Sequence, residues 1–323
     1  MQAAVVTQFG DPDVFTLSEL PDPLPGPGQI SINVSYAAVG LIDVYIRQGL
    51  YRDFPGLPQP PFVPGLEVAG TVRALGPGVR AFQVGQPVVT LSGTGADNGY
   101  ASIAVVDAAM VADLSETEVD PAVAVAVVPN AATAYLALSR AAHLQPGERV
   151  LVHGALGGLA SAFPGVARLL GAERVVGTVR GGVRPTALPY DRLVSSADLA
   201  AEVGNERFDV VVDPVGGQVR TDSLAVMAPM GRMLLVGNAS GDWGHTVSTT
   251  GLWGSNLSLA GFAAGFYLPS HPEQVPLAVQ AARRAIEQGL LDVRVEALPL
   301  ARAAEAHRRL ESGSVGGRIV LTP

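Results

Sequence analysis

The sequence predicts an α/β protein in which a doubly wound parallel sheet is joined to a β-rich module. Three observations predict it. First, Val150–Ala160 reads VLVHGALGGLA, an apolar strand that runs into a glycine-rich turn and then into the small residues of a helix start. A second β-like run, Arg174–Val179, follows about 20 residues later. Strand, glycine turn, helix and strand is the order that sets backbone N–H groups and a helix N-terminus against a pyrophosphate. Second, β-like and helix-like runs alternate through the middle of the chain, as a parallel sheet with covered faces requires. Third, residues 1 to about 120 are short alternating runs separated by proline and glycine turns.

In chain order, Gln2–Val6, Gln29–Ala37, Glu67–Leu75 and Gln86–Leu91 read as strands, bounded by turns such as PDPLPGPG at 21–28 and Gly76–Gly78;. Only Ile42–Gln48 has a helical pattern there. The pattern changes near Ser115–Pro121, and alanine-rich helical sequence leads through Ala131–Ala142 to the glycine turn. Strands are then expected at Val150–His153, Val175–Val179, Val210–Val212, Met233–Val236 and Leu257–Gly261. Helices are expected at Ser161–Leu170, at Gln218–Met227 and near Thr249–Trp253. After Tyr267 come a helix over 272–288, a strand at Arg294–Pro299, a helix at Ala301–Gly313 and a last strand at Arg318–Leu321.

Composition narrows the function classes. The 323 residues suffice for two domains, and 48% apolar with 15% charged residues fits a globular enzyme;. Cysteine is absent, which excludes disulfides, thiolate metal sites and a cysteine nucleophile;. Lysine is absent as well, since all 21 basic residues are arginine, so Schiff-base chemistry and a lysine phosphate anchor are excluded;. A net charge of −8 without a basic tract argues against nucleic acid and anionic membranes as partners;. The most apolar run, Ala122–Val128, lies between Pro121 and Pro129 and is too short to span a bilayer;. No basic region followed by an apolar core opens the chain, so a cytoplasmic location is expected;. The five histidines lack metal-like spacing, and no metal is expected;.

Several runs together resemble the zinc-independent quinone oxidoreductases of the medium-chain dehydrogenase/reductase superfamily. They are DVYIRQGLY at 43–51, PGLEVAG at 64–70, TAYLAL at 133–138, FDVVVDPVGG at 208–217, GRMLLVGNASG at 231–241 and ESGSVGGRIVL at 311–321. The resemblance covers essentially the whole chain. It implies a GroES-like catalytic domain, residues 1–120 completed by 268–323, with a Rossmann dinucleotide-binding domain at 121–267. It also implies a homodimer formed through Leu257–Phe262. The superfamily's zinc enzymes carry a histidine ligand where this chain has Leu66, between Gly65 and Glu67, and no cysteine is available beside it. A catalytic zinc is therefore not expected.

The resemblance further implies NADPH as cofactor, with Gly157, Gly158 and Leu159 on its pyrophosphate and with Thr133, Gly237, Asn238 and Ser240 on the nicotinamide side. Arg180 and Arg184 stand where relatives hold the 2′-phosphate with serine and lysine, and an arginine can do so bidentately. No acidic residue ends Val175–Val179 to take a ribose hydroxyl, which favours NADPH over NADH;. Four departures surround this site. Gly40 replaces an asparagine, Ala160 replaces the last glycine of the turn, Ser196 replaces a tyrosine, and Arg180–Pro189 is shortened and broken by prolines;.

For the chemistry, Tyr45 and Tyr51 are candidate acids or hydrogen-bond donors, and ring packing accounts for Tyr45 equally well. Asp43 is a third candidate; with Arg47 it sits at i and i+4 on one helical face, where the two can form an ion pair that orients the loop;. Asn98 and Tyr100, near TGADNG at 94–99, line the substrate side or belong to a glycine-rich hairpin. Two function classes stand first, ahead of a third, a binding or structural protein without catalysis. One is an NADPH-dependent reductase of an enone, quinone or related α,β-unsaturated carbonyl, with a specialised biosynthetic small-molecule substrate. The other is a non-redox cyclase or isomerase on the same scaffold with a degraded cofactor groove.

Overall fold

The structure, a computed structural model, describes residues 1–323 apart from Pro55, residues 92–97 and Arg184. The chain begins β1 (Gln2–Val6), β2 (Phe15–Glu19), β3 (Gln29–Ala38), α1 (Leu41–Gln48), β4 (Val68–Leu75), β5 (Pro87–Thr90), β6 (Ile103–Asp107) and β7 (Val111–Asp113). It continues with α2 (Pro121–Leu136), β8 (Arg149–Val152), α3 (Phe163–Leu169), β9 (Arg174–Val179), β10 (Arg192–Ser195), α4 (Leu199–Val203), β11 (Phe208–Asp213), α5 (Gln218–Leu224) and β12 (Met227–Leu235). The last elements are α6 (Thr249–Ser255), β13 (Ser258–Gly261), α7 (Ala264–Tyr267), α8 (Val275–Glu287), β14 (Val295–Pro299), α9 (Ala303–Glu311) and β15 (Arg318–Thr322). Strands β2, β6, β7 and β10 and helices α4 and α7 are not expected from the sequence; all are five residues or fewer, too short for periodicity to mark them;.

The chain divides into two units. One comprises Met1–Pro129, Ala264–Val279 and Val293–Pro323, the other Asn130–Ala263 and Gln280–Asp292. In the first unit β1 pairs with β2, and a larger sheet runs β14-β15-β3-β4-β5-β7 with β6 also on β3. Alternation in β3 buries Ile30, Ile32 and Val34 against Val68, Val72, Tyr100, Ile319 and Leu321;. A smaller apolar cluster gathers Val6, Val14, Ile46, Phe62 and Leu66. The second unit holds one six-stranded sheet in the order β10-β9-β8-β11-β12-β13, and every pairing is parallel. Counted from β8 this is the order 3-2-1-4-5-6 of the Rossmann fold. Its strands β8, β9 and β11 are nearly continuous buried runs rich in valine, as a sheet covered on both faces demands;.

One expectation is corrected here. The apolar run at Ala122–Val128 does not stop at Pro129, because α2 carries that proline inside it and continues through a π-helical turn at Ala137–Ala141. A proline removes one hydrogen bond and adds a clash without always ending a helix. The resulting helix, Pro121–Ala141, is long and apolar enough to cross a membrane by length and composition, and 72% of its most apolar window is buried within the protein. That burial is the mark of a core helix, whose hydrophobicity all round is met by protein rather than lipid.

Candidate functional site

The strand order reverses between β8 and β11, and ligands of open α/β sheets sit at the carboxyl ends of the strands at such a point;. Both strands end there in glycine turns. After β8, Gly154 adopts a positive φ of 60°, which lets its carbonyl accept the Gly157 amide at 2.7 Å;. The Gly158 carbonyl is held by Asn130 Nδ2 at 3.1 Å and Ser161 Oγ at 3.0 Å. Asn130 lies on α2 one helical turn before the half-buried Thr133, so this helix supports the turn from a position the sequence reading did not single out;.

After β11 the buried Asp213 organises the second turn. Its Oδ1 accepts the amides of Val215 at 2.9 Å and Gly216 at 2.7 Å, and its Oδ2 accepts Arg220 Nε at 2.7 Å. The turn beyond β12 is zipped to this one, with Ala239 N donating to Pro214 O at 3.0 Å and Ser240 N to Val215 O at 2.8 Å. Gly237, Asn238 and Ser240 are thereby brought against Gly216 and Gly217. Glycine is required where they meet, since a Cβ on Gly216 would lie 1.9 Å from Asn238 Oδ1. The β8 and β11 turns also approach each other, a Cβ on Gly154 reaching 3.4 Å from Val215 Cγ2.

On the other flank of β8 the crossover from β9 to β10 contains no helix among the described residues. Arg180 is exposed just past the end of β9, and Ser196 N donates to Val179 O at 2.9 Å beside it. Arg184 lies outside the described residues. Beneath both turns, His153 is fully buried between β9 and α5. Ser223 Oγ donates to Val219 O at 2.6 Å, so it accepts from His153 Nε2 at 2.6 Å, and Thr178 Oγ1 donates to Nδ1 at 2.9 Å. Burial pushes this imidazole down to about 4, against the pull of Asp213 and Asp222;.

In the first unit, α1 begins at Gly40 with a reciprocal cap: the Gly40 amide donates to Asp43 Oδ2 at 2.8 Å, and the Asp43 amide donates to Gly40 O at 3.1 Å;. Asp43 is 2% exposed, and burial, helped by the negative charge of Glu67, raises its carboxyl to about 7 against the Gly40 amide, Arg318 and Tyr100;. The expected Asp43–Arg47 pair does not form. Arg47, fully buried, instead donates to Glu311 and to Gly10 O at 2.8 Å, because α9 brings a carboxylate to its tip while Asp43 is committed to the helix cap. Tyr100 is also corrected: it is fully buried in the core rather than lining a substrate surface, and its hydroxyl meets His307 Nε2 at 3.2 Å. The remainder of TGADNG up to Asp97 lies outside the described residues, while Asn98 is exposed at a positive φ of 57°. Tyr45 and Tyr51 are half-buried with rings edge to face at 6.3 Å, and burial raises both phenols.

Two family profiles match this architecture: an alcohol dehydrogenase GroES-like domain over residues 26–116, and a zinc-binding dehydrogenase over 189–321. A 2-haloacrylate reductase from a Burkholderia species is 31% identical, covering 100% of this chain and 99% of its own. A quinone oxidoreductase from Lama guanicoe is 30% identical over 99% of this chain and 97% of its own. Among solved structures, a mycobacterial protein complexed with NADPH superposes with a TM-score of 0.85 at 30% identity, covering both chains fully. The chain belongs to the quinone oxidoreductase-like medium-chain dehydrogenases/reductases. It is an enzyme of the oxidoreductase class.

The zinc named by one profile does not fit the donor set of this member of the family. The chain has no cysteine, and Leu66 is packed into the apolar cluster with Val6, Ile46 and Phe62. Among the described residues, no group of three or more histidine, aspartate or glutamate side chains is placed to hold a metal ion. Zinc selects thiolate, imidazole and carboxylate ligands in tetrahedral array, and nothing at Leu66 supplies one.

Proposed function

We propose that this oxidoreductase is a zinc-free, NADPH-dependent reductase of an enone, quinone or related α,β-unsaturated carbonyl. The observation that carries the proposal is the pair of abutting glycine turns at the reversal of strand order, the β11 turn closed by the buried Asp213. The NADPH complex of the mycobacterial relative supports it. NADPH supplies a hydride for the β-carbon of the acceptor. In this reading Gly157, Gly158 and Leu159 face the pyrophosphate, where backbone amides need no counter-charge from lysine. Thr133, Gly237, Asn238 and Ser240 hold the nicotinamide side, and Arg180 and Arg184 take the 2′-phosphate.

Reduction leaves negative charge on the carbonyl oxygen until the α-carbon is protonated. Tyr45 and Tyr51, kept protonated by burial, are the proposed donors to that oxygen;. Asp43 acts on them from below by capping α1, which carries Tyr45. The protein is proposed to work in the cytoplasm on a small molecule, without nucleic acid or membrane partners. The functional domains of this reading divide at 120 and 267, near the unit boundaries at 129 and 263, while the second unit also takes in Gln280–Asp292. Homodimerisation through Leu257–Phe262 is supported by β13 ending the sheet, which leaves one strand edge for a partner;.

The β9–β10 crossover, without a helix among its described residues, favours the second reading, a non-redox cyclase or isomerase. Calorimetric titration with NADPH and NADH separates the two. Micromolar NADPH binding, weaker for NADH and about tenfold weaker in Arg180→Ala, is the expected result. No binding of either dinucleotide at millimolar concentration overturns the reductase reading and leaves the cofactor-free one.

A further inference from the structure

Among its described residues, the crossover from β9 to β10 is a strap without a helix. Leu188 is buried, and Pro189–Asp191 is clamped from both sides. Arg168 of α3 pairs with Asp191 at 2.5 Å and reaches Pro189 O at 3.4 Å. Val175 of β9 donates its amide to Asp191 Oδ2 at 2.7 Å and accepts the Asp191 amide at 2.9 Å. The clamp aims Tyr190 inward. Its ring lies over Gly177 of β9, where an added Cβ would come within 2.9 Å of Tyr190 Cε1 and 2.6 Å of Ala155 Cβ. Its hydroxyl donates to Ala155 O at 3.1 Å, with Ala160 O at 3.4 Å. Those two carbonyls bracket Leu156–Leu159, the segment of the glycine turn proposed to face the pyrophosphate. Ala155 is fully buried, so its carbonyl needs a partner from protein;.

The geometry points to Tyr190 as a positioning residue for the dinucleotide turn: its hydroxyl, presented by the strap, ties together the two ends of the Ala155–Ala160 segment. The inference rests on the proposed NADPH binding. A turn fixed before the ligand arrives costs no ordering on binding, so loss of the tie is felt as affinity. It also accounts for Ala160. With the turn pinned by a side chain, a methyl group at its last position is accommodated where it is 2% exposed and already packed.

The test compares Tyr190→Phe with Leu188→Ala, reading the NADPH Kd by calorimetry and the melting midpoint without ligand. Tyr190→Phe keeps the ring and removes one hydrogen bond. It is expected to raise Kd about three- to tenfold, the worth of that bond, with kcat unchanged within about twofold. Leu188→Ala removes packing from the same strap and is expected to lower the midpoint while leaving Kd within about twofold. An unchanged Kd in Tyr190→Phe overturns the inference alone, and so does an equal loss of affinity in both variants. Failure of Tyr190→Phe to melt cooperatively overturns it too, since the hydroxyl then serves the fold. Absence of NADPH binding by the unmodified protein overturns the functional reading and this inference together.

Discussion

The two flanks of the switch point fix their turns by different means. On the β11–β12 side a buried carboxylate gathers two amides and a guanidinium, and glycines at 216, 217 and 237 allow two turns to meet. On the β9–β10 side a phenol reaches across from the strap to backbone carbonyls. A carboxylate placed two or three residues from the amides it accepts is a local device and survives only as a unit. The strap works at a distance of 30 to 35 residues. The two turns are thus held by contacts of very different range along the chain.

The strongest way to break the comparison is Asp213→Ala. It strands Arg220 and two turn amides, and we expect a loss of about 3 kcal/mol in stability together with NADPH binding. Chemical denaturation of apo-protein reads the first, calorimetry the second; a variant of native stability would show that the carboxylate is dispensable. Next come the glycines, one on each flank. Gly216→Ala must displace Asn238 from a residue already at φ +73°, and Gly177→Ala must part Ala155, Leu193 and Tyr190. Each is expected to cost about 1–3 kcal/mol by overpacking or backbone strain. The first should weaken NADPH with little change at the strap, the second through the strap itself, which amide hydrogen exchange across 154–160 distinguishes.

The dependence on pH acts through one buried group in each unit, His153 in the second and Asp43 in the first. His153 bridges Thr178 of β9 and Ser223 of α5, and its folded pKa of about 4 lies below its ordinary value of 6.5. Its contribution is complete above pH 6.5 and is lost as the pH falls from there towards 4. Asp43 in the first unit has the opposite sign: with a folded value of about 7 against 3.8, its contribution is complete below 3.8 and is lost as the pH rises through 7;. Denaturation curves between pH 4 and 8 should therefore flatten at their acid end in His153→Gln and at their neutral end in Asp43→Asn. A wild-type slope retained in both variants would assign the titration elsewhere.

The sheet of the second unit was legible because buried parallel strands are uninterrupted apolar runs, and Val150–His153, Val175–Val179 and Val210–Val212 are such runs. Its glycine turns were legible because a positive φ or a close approach leaves few alternatives to glycine. Asn130, Asp213 and Tyr190 were not singled out as site residues. A single side chain bonded to backbone atoms carries no period, and its partner can be any residue that offers a carbonyl or an amide. The same holds for Arg47, whose i−4 neighbour is an aspartate but whose partner, Glu311, lies 264 residues away.

Read alone, the sequence carries the fold class, most of the strands, the glycine turns and the absence of cysteine and lysine, because composition and periodicity are properties of the chain. The tertiary structure adds which carboxylate meets which arginine, that Tyr100 is core, and that the Tyr190 hydroxyl reaches the Ala155 carbonyl. Those contacts join residues distant in the chain, and packing selects among partners that local sequence leaves equivalent.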